Sequence, residues 1–441
     1  MLIQNLSLKN FKCFEEVDVE FAPITLLTGA NSSGKSSLIY SLLAVLQTEQ
    51  FPFYLSPNGK YVNLGSFEEI VWKGVIKSYL NIALNLTEYE WIHIPGGTTT
   101  ALGQNHIYNT VWKSQENNEN PRLRYLTHQK PFAERIDTLK ICIDYKSSDE
   151  FIINVETPFV LPTKLIEKLS RLKSFQLEES NYKFSIVEDK MKLSSTLKYI
   201  IEVAELDLFY SLSKSLDFDK NFNYIGSFRQ PPERTYYQKA KAQSKVDIDG
   251  AGYIDQIIEW EETDSDKLEE LAKIMSDLEL FKEIKSNKFK GGRFELAVKT
   301  QTNSELAALT DVGFGISQFL PIIVADLQLS DNSCLALSQP EIHLHPKIQA
   351  LFGNFLVNQI SHTNKQYIVE THSEYLLNRL RLLLVKGELK PEEIRVYYFE
   401  NDGIKTTTYN VEFTKDGQIK GAPDSFFDTY AVDVMDIALN A

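Results

Sequence analysis

Eight consecutive residues restrict this chain more than any other feature. Gly29-Ala30-Asn31-Ser32-Ser33-Gly34-Lys35-Ser36 fits the pattern G-x-x-x-x-G-K-[ST] at every fixed position. Each residue type has a physical reason. Gly29 and Gly34 allow tight turns and close approach of a polyanion. The successive backbone N–H groups through Asn31, Ser32 and Ser33 form a concave nest for phosphate oxygens. A helix starting at the loop points its positive end at the same spot. Lys35 is the residue type that reaches terminal phosphates, and the Ser36 hydroxyl is the type that ligates Mg²⁺. Ser37 is a second hydroxyl in that turn and a weaker phosphate contact. The flanks agree: 23–27 is a continuous apolar run, expected for a strand buried on both faces, and 36–47 reads as a helix with Leu38, Leu42, Leu43 and Leu46 on one face.

The remaining pattern is α/β at the ends and β-rich in between. The first residues alternate as a hairpin. Short β-like pieces lie at 79–86, 139–145, 151–156 and 182–187, separated by polar stretches such as 115–121. Helix is expected over 192–215, and one or two acidic helices over 254–285. After residue 305 come helices at 316–327, 346–359 and 373–384 and strands at 334–337, 367–369 and 395–399. Lys plus Arg is 46 and Asp plus Glu is 60, so the net charge is −14 and argues against coating nucleic acid or anionic lipid. A local contact stays open at Lys282, Lys285, Lys288, Lys290 and Arg293, interleaved with Phe281, Phe289 and Phe294. Cys13, Cys142 and Cys334 have no metal-type spacing, the N-terminus lacks an apolar signal core, and no run is long enough to span a bilayer. A cytoplasmic protein without membrane contact is expected.

A phosphate loop of this kind needs an acid at the end of a neighbouring strand to orient Mg²⁺. The strand at 334–337 leads into Ser338-Gln339-Pro340-Glu341-Ile342-His343-Leu344-His345. Here the sequence resembles the ABC-class P-loop ATPases related to RecF, SMC and the OLD-type proteins. More narrowly, it is similar to the ATPase subunits of prokaryotic anti-phage systems such as Septu and PARIS. The matching pieces are LKNFKCF at the start, GANSSGKSS, LGSFEEIV at 64–71, YIGSFRQPPERTY at 224–236, DVGFGISQFLPII at 311–323, QPEIHLHPKIQ at 339–349, ETHSEYLLNRL at 370–380 and DSFFD at 424–428.

The resemblance implies an α/β ABC-type P-loop NTPase with an antiparallel β subdomain and a helical insertion. Its parts would be an N-terminal lobe over 1–190, an insertion over 191–300 and a C-terminal lobe over 301–441. It implies ATP and Mg²⁺ as ligands. Gly313, Gly315, Ser317 and Gln318 fall where the family's signature segment contacts ATP on the opposite protomer, and His372 matches the switch histidine. It also implies a homodimer or a multiple of dimers, acting as sensor or scaffold for a separate effector, a nuclease or toxin. The alternatives are a RecF/Rad50-like ATPase that clamps DNA, and an adaptor that uses ATP without hydrolysis.

The departure from the family lies at Ser338 and Gln339, where acids are usual. Serine replaces a Mg²⁺-orienting carboxylate poorly, and glutamine can hold a water but cannot take its proton. Glu341 supplies a carboxylate if the turn at Pro340 aims it inward. ATP binding with slow hydrolysis is therefore expected, with Gln339, Glu341 and His372 as the catalytic candidates. His343 and His345 beside Glu341 invite a metal reading, but H-x-H followed by proline lacks the helical spacing of hydrolytic zinc motifs. Arg229 and Arg234 suit either a phosphate or a structural salt bridge.

Overall fold

A computed structural model describes residues 1–48, 51–74, 79–94, 98–115, 118–132, 135–145, 150–156, 163, 166–167, 170, 175–177, 183–189, 221–237, 245–423 and 425–426. The helix expected over 192–215 lies outside these residues, as does most of the DSFFD segment. Two compact units emerge. One comprises 1–20, 37–218 and 401–407; the other comprises 21–36, 219–400 and 408–441. The phosphate loop thus groups with the C-terminal segments, not with the β-rich stretch that follows it.

The first unit holds a nine-stranded sheet, antiparallel at every described pair. Its order is Phe14–Glu20, Leu2–Phe11, Tyr79–Ile94, Thr98–Gln115, Asn118–Phe132, Arg135–Tyr145, Glu150–Glu156, Lys183–Asp189 and Phe175–Leu177. Leu80, Ile82, Leu84 and Leu86 alternate onto one buried face, as period-two patterning requires. The long strands Thr98–Gln115 and Asn118–Phe132 escape a reading by hydrophobic alternation, because their inward positions include His106, Thr110 and His128.

That inward polarity has a measurable consequence. His106 and His128 are 2% and 0% exposed, their Nδ1 and Nε2 atoms lie 3.0 Å apart, and Tyr108 stacks on His128 with centroids 4.7 Å apart. Burial, aided by the charge of Lys130, lowers the pKa of His106 to about 4, although Glu88 lies 3.9 Å from its Nε2. Burial, then His106, lowers that of His128 to about 3. Both folded-state values lie below the unfolded one, so the unfolded chain takes up more protons as pH falls. The stability is fully present above about pH 6.5 and drains away toward pH 4. Urea unfolding at pH 5 should show a loss of up to about 2 kcal/mol per histidine relative to pH 7. An unchanged midpoint would contradict the buried neutral pair.

The second unit is built on a seven-stranded sheet in the order Phe222–Ile225, Cys334–Ser338, Gln366–Glu370, Ile24–Gly29, Ile394–Asn401, Thr406–Phe413 and Ile419–Lys420. The first five run parallel. Ile24–Gly29 is buried throughout, as its unbroken apolar run requires. Helix Phe314–Gln328 is buried over most of its length, including Pro321 inside it, and helices Pro346–His362 and Glu374–Lys386 carry apolar faces into the same core. The acidic stretch resolves into helices Tyr253–Thr263 and Ser265–Asp277. They pack near a small antiparallel sheet that contains Glu283–Lys288 and Arg293–Lys299. No helix among the described residues is long and apolar enough to cross a membrane.

Candidate functional site

Parallel strands present their carboxyl ends at one edge, where α/β sheets bind ligands. The register sets Ser338 beside Glu370, and Glu370 beside Leu27 of the strand that feeds the phosphate loop. Gly29 has a φ of 132°, and a Cβ there would lie 2.2 Å from the carbonyl oxygen of Phe399, so only glycine fits. Ala30, Asn31 and Ser32 are exposed on the loop, while Ser33 and Lys35 are buried and Gly34, Ser36 and Ser37 are half-buried.

Lys35 is 3% exposed and its ammonium donates to the carbonyls of Gly29 at 2.9 Å and Ala30 at 2.7 Å. Burial lowers its pKa, and the charges of Glu370 and then Glu341 pull it back up. The Ser36 hydroxyl donates to Oε1 of Glu370 at 2.7 Å, and the Ser338 hydroxyl donates to Oε2 of the same carboxylate at 2.9 Å. Glu370 is 4% exposed. This acid opens the segment ETHSEYLLNRL and is not among the residues expected from the sequence, which centre on the 338–341 strand end. The available signal was an acid at the end of an expected strand, two residues before His372.

The turn after Ser338 is sharply bent, with φ of 46° at Gln339 and 65° at His343. The Gln339 N–H donates to the Glu370 carbonyl at 2.7 Å, and its own carbonyl accepts from Nη2 of Arg229 at 3.2 Å. Glu341 is drawn inward: its Oε1 accepts the His372 N–H at 2.7 Å, and its Oε2 is buried without a hydrogen-bond partner of normal geometry. Burial raises its carboxyl pKa, against the opposing pull of the His372 and Glu341 N–H groups, the Thr371 hydroxyl and the Arg229 charge. Arg229 is 6% exposed, and burial lowers its pKa to about 10 while Glu341 opposes the shift. Its Nε is likewise unpartnered. His372 is exposed at the surface, and its pKa is lowered by desolvation and then by the Lys35 charge, against the opposing pull of Glu370.

In the signature segment, Gly313, Phe314 and Gly315 line the start of helix Phe314–Gln328 with exposed or half-exposed surface. A Cβ on Gly315 would approach the His343 carbonyl to 2.7 Å, so this residue sets how closely the helix meets the 339–345 turn. Ser317 and Gln318 point inward. The Ser317 hydroxyl donates to the Phe314 carbonyl at 2.9 Å, and Gln318 Nε2 donates to the carbonyls of Arg229 and Gln230. Their side chains therefore brace the helix start and the 229–230 loop, and the outward surface here comes from Gly313, the half-exposed Phe314 side chain and Gly315. Arg234 pairs with Asp311 through two hydrogen bonds, the structural salt bridge of its two sequence readings. Phe314 packs edge-on against His343, 4.9 Å between centroids, and both His343 and His345 are exposed. Among the described residues, no group of three or more His, Cys, Asp or Glu side chains is placed to hold a metal ion. In the basic stretch, Lys285 pairs with Glu283 and Lys288 with Glu262, and Phe281 and Phe294 are buried core residues.

A family model described as an AAA ATPase domain matches residues 1–377. No curated protein matches the sequence significantly. Among solved structures, the chain is similar to the SMC head domain from Thermotoga maritima, at 13% identity over 93% of this chain and 100% of that one, with a TM-score of 0.37. An SMC head bound to the C-winged helix domain of ScpA aligns at 12% identity over 94% and 99%, with a TM-score of 0.41. An SMC head with an extended coiled coil, bound to the C-terminal domain of ScpA derived from Pyrococcus furiosus, aligns at 10% identity over 100% and 99%, with a TM-score of 0.38.

Proposed function

Because this chain belongs to the AAA ATPase domain family, we propose that it binds ATP with Mg²⁺ at the 29–36 loop and hydrolyses it slowly. The observation that carries this is the convergence of Lys35, Ser36, Glu341 and Glu370 at the carboxyl ends of adjacent parallel strands. Lys35 now satisfies loop carbonyls. A triphosphate offers it stronger, charge-assisted partners, and the relief of a buried ammonium favours the exchange. The donor set fits Mg²⁺, a hard cation that takes hydroxyl and carboxylate oxygens together with phosphates and keeps waters; Ser36 would hold it. When bound, the ion neutralises charge on the terminal phosphates.

Hydrolysis needs a proton acceptor for the attacking water. Gln339 cannot serve, whereas Glu341 is a carboxylate held in a fixed orientation by the His372 N–H. His372, exposed at the surface beside it, would contact the terminal phosphate. Turnover is expected below about 1 s⁻¹, the low end for working enzymes. Lys35→Ala should weaken ATP binding by about 10–100-fold, the equivalent of losing charge-assisted contacts. Titration of a fluorescent ATP analogue into both proteins checks this; equal affinities would refute ATP binding at the loop.

At the next level, ATP would join two copies, with the outward backbone of Gly313 and Gly315 meeting the partner's nucleotide. In that state the protein would act, in a prokaryotic cytoplasm, as the sensor or scaffold of an anti-phage complex that controls a separate nuclease or toxin. The support is the ordered set of motifs shared with such ATPase subunits. The ion-paired lysines near 282–293 give little support to a DNA clamp. Light scattering with and without a non-hydrolysable ATP analogue tests the dimer, and copurification of a neighbouring gene product tests the effector. A monomer at saturating nucleotide would sink the paired arrangement.

A further inference from the structure

We propose that Glu370 is the carboxylate that orients the nucleotide's divalent cation, and that Ser338 aims it instead of supplying an acid of its own. This rests on nucleotide binding at the 29–36 loop. In P-loop enzymes the cation is held by the loop hydroxyl together with an acid from a nearby strand end. Here the loop hydroxyl, Ser36, lies 2.7 Å from Glu370 Oε1. The acid has moved one strand inward. Strand Gln366–Glu370 pairs directly with the loop strand Ile24–Gly29, whereas Cys334–Ser338 is one strand further out.

Ser338 stands beside Glu370 in the register and donates its hydroxyl to Oε2 at 2.9 Å, so one carboxylate is gripped at both oxygens. Glu370 is buried, yet both of these hydrogen bonds come from neutral hydroxyls. Lys35 acts on it electrostatically, but its ammonium is bonded to the carbonyls of Gly29 and Ala30. A buried carboxylate so placed is short of positive charge, which a divalent cation supplies. Each oxygen keeps further lone-pair capacity for a metal-bound water. The serine at 338 is then a positioning residue, and its small size leaves room for the longer acid from the neighbouring strand.

The test is the ratio of affinities for mant-ATP measured on the full chain in Mg²⁺ and in EDTA. Glu370→Gln keeps the shape and removes the charge. It should cut the Mg²⁺-dependent gain by about 10–100-fold while leaving the EDTA affinity in place. Ser338→Ala should cut the gain less, by no more than about tenfold, because the carboxylate stays. Ser338→Asp placed in the Glu370→Gln background should restore part of the gain. A Glu370→Gln protein with an unchanged ratio overturns the assignment, and so does one that loses affinity equally in both media. Wild-type protein that binds equally in Mg²⁺ and EDTA overturns Glu370 alone. Wild-type protein that binds in neither overturns the nucleotide site as well.

Discussion

Glu341→Gln is expected to lower ATP turnover by about 10²–10⁴-fold and leave ATP affinity nearly unchanged. The reasoning is geometric first. One oxygen of Glu341 is pinned by the His372 N–H at 2.7 Å, and the Thr371 hydroxyl also acts on the buried carboxyl. A carboxylate held in a fixed orientation is what a water-activating base requires. The amide of glutamine keeps the pinned contact and loses the ability to take a proton. Burial raises the Glu341 carboxyl pKa, so the base becomes protonated earlier on acidification than an ordinary glutamate. Turnover should therefore fall as pH drops through that raised value, and this acid limb should vanish in Glu341→Gln. The Gln339→Ala variant provides the contrast. If it loses as much as Glu341→Gln, water activation belongs to the residue next to Ser338.

Lys365→Met should destabilise the second unit by about 3–5 kcal/mol, the usual cost of orphaning a buried charge. Asp326 is 0% exposed within helix Phe314–Gln328, and Lys365 is 6% exposed at the entry to strand Gln366–Glu370. The Lys365 ammonium lies 3.2 Å from Asp326 Oδ2 and donates to the Asp326 carbonyl at 2.8 Å. The Tyr367 hydroxyl donates to Oδ1 at 2.7 Å, and burial followed by the Asp326 charge pushes its pKa well up. Removing the ammonium leaves a carboxylate with one neutral donor. Chemical denaturation of wild type, Lys365→Met and the Lys365→Met/Asp326→Leu double variant reads the effect. The double variant should recover part of the loss, since matched apolar replacements cost less than half a pair, and the remainder reflects the buried Tyr367 hydroxyl left without its acceptor. A single variant within about 0.5 kcal/mol of wild type would show that water or rearrangement compensates the charge.

The parallel sheet was legible wherever burial is two-sided. The apolar runs at 23–27, 334–337 and 367–369 all became central strands, with bounds within one or two residues. The helices after residue 310 were legible for the same reason, because their apolar spacing is long and regular. The hairpin from Thr98–Gln115 to Asn118–Phe132 was not, since its buried face carries histidines and threonine that a hydrophobicity reading assigns to solvent.

At the site, chemistry that lives in contiguous residues could be read directly: the eight residues of the loop specify a phosphate cradle by their own backbone and side-chain types. The missing acid at 338 could also be seen, and it pointed to a defective centre. What only the tertiary structure decided is that Glu370, 334 positions from Ser36 in the chain, bonds to it. It likewise decided that Ser317 and Gln318 turn into the core, and that Arg229 braces the Gln339 turn. Local sequence encodes conformations of a few residues, whereas which strand end lies next to the loop depends on the order of strands in the sheet. That order follows from packing over the whole unit, and it is what places a glutamate where a neighbouring strand has given up its acid.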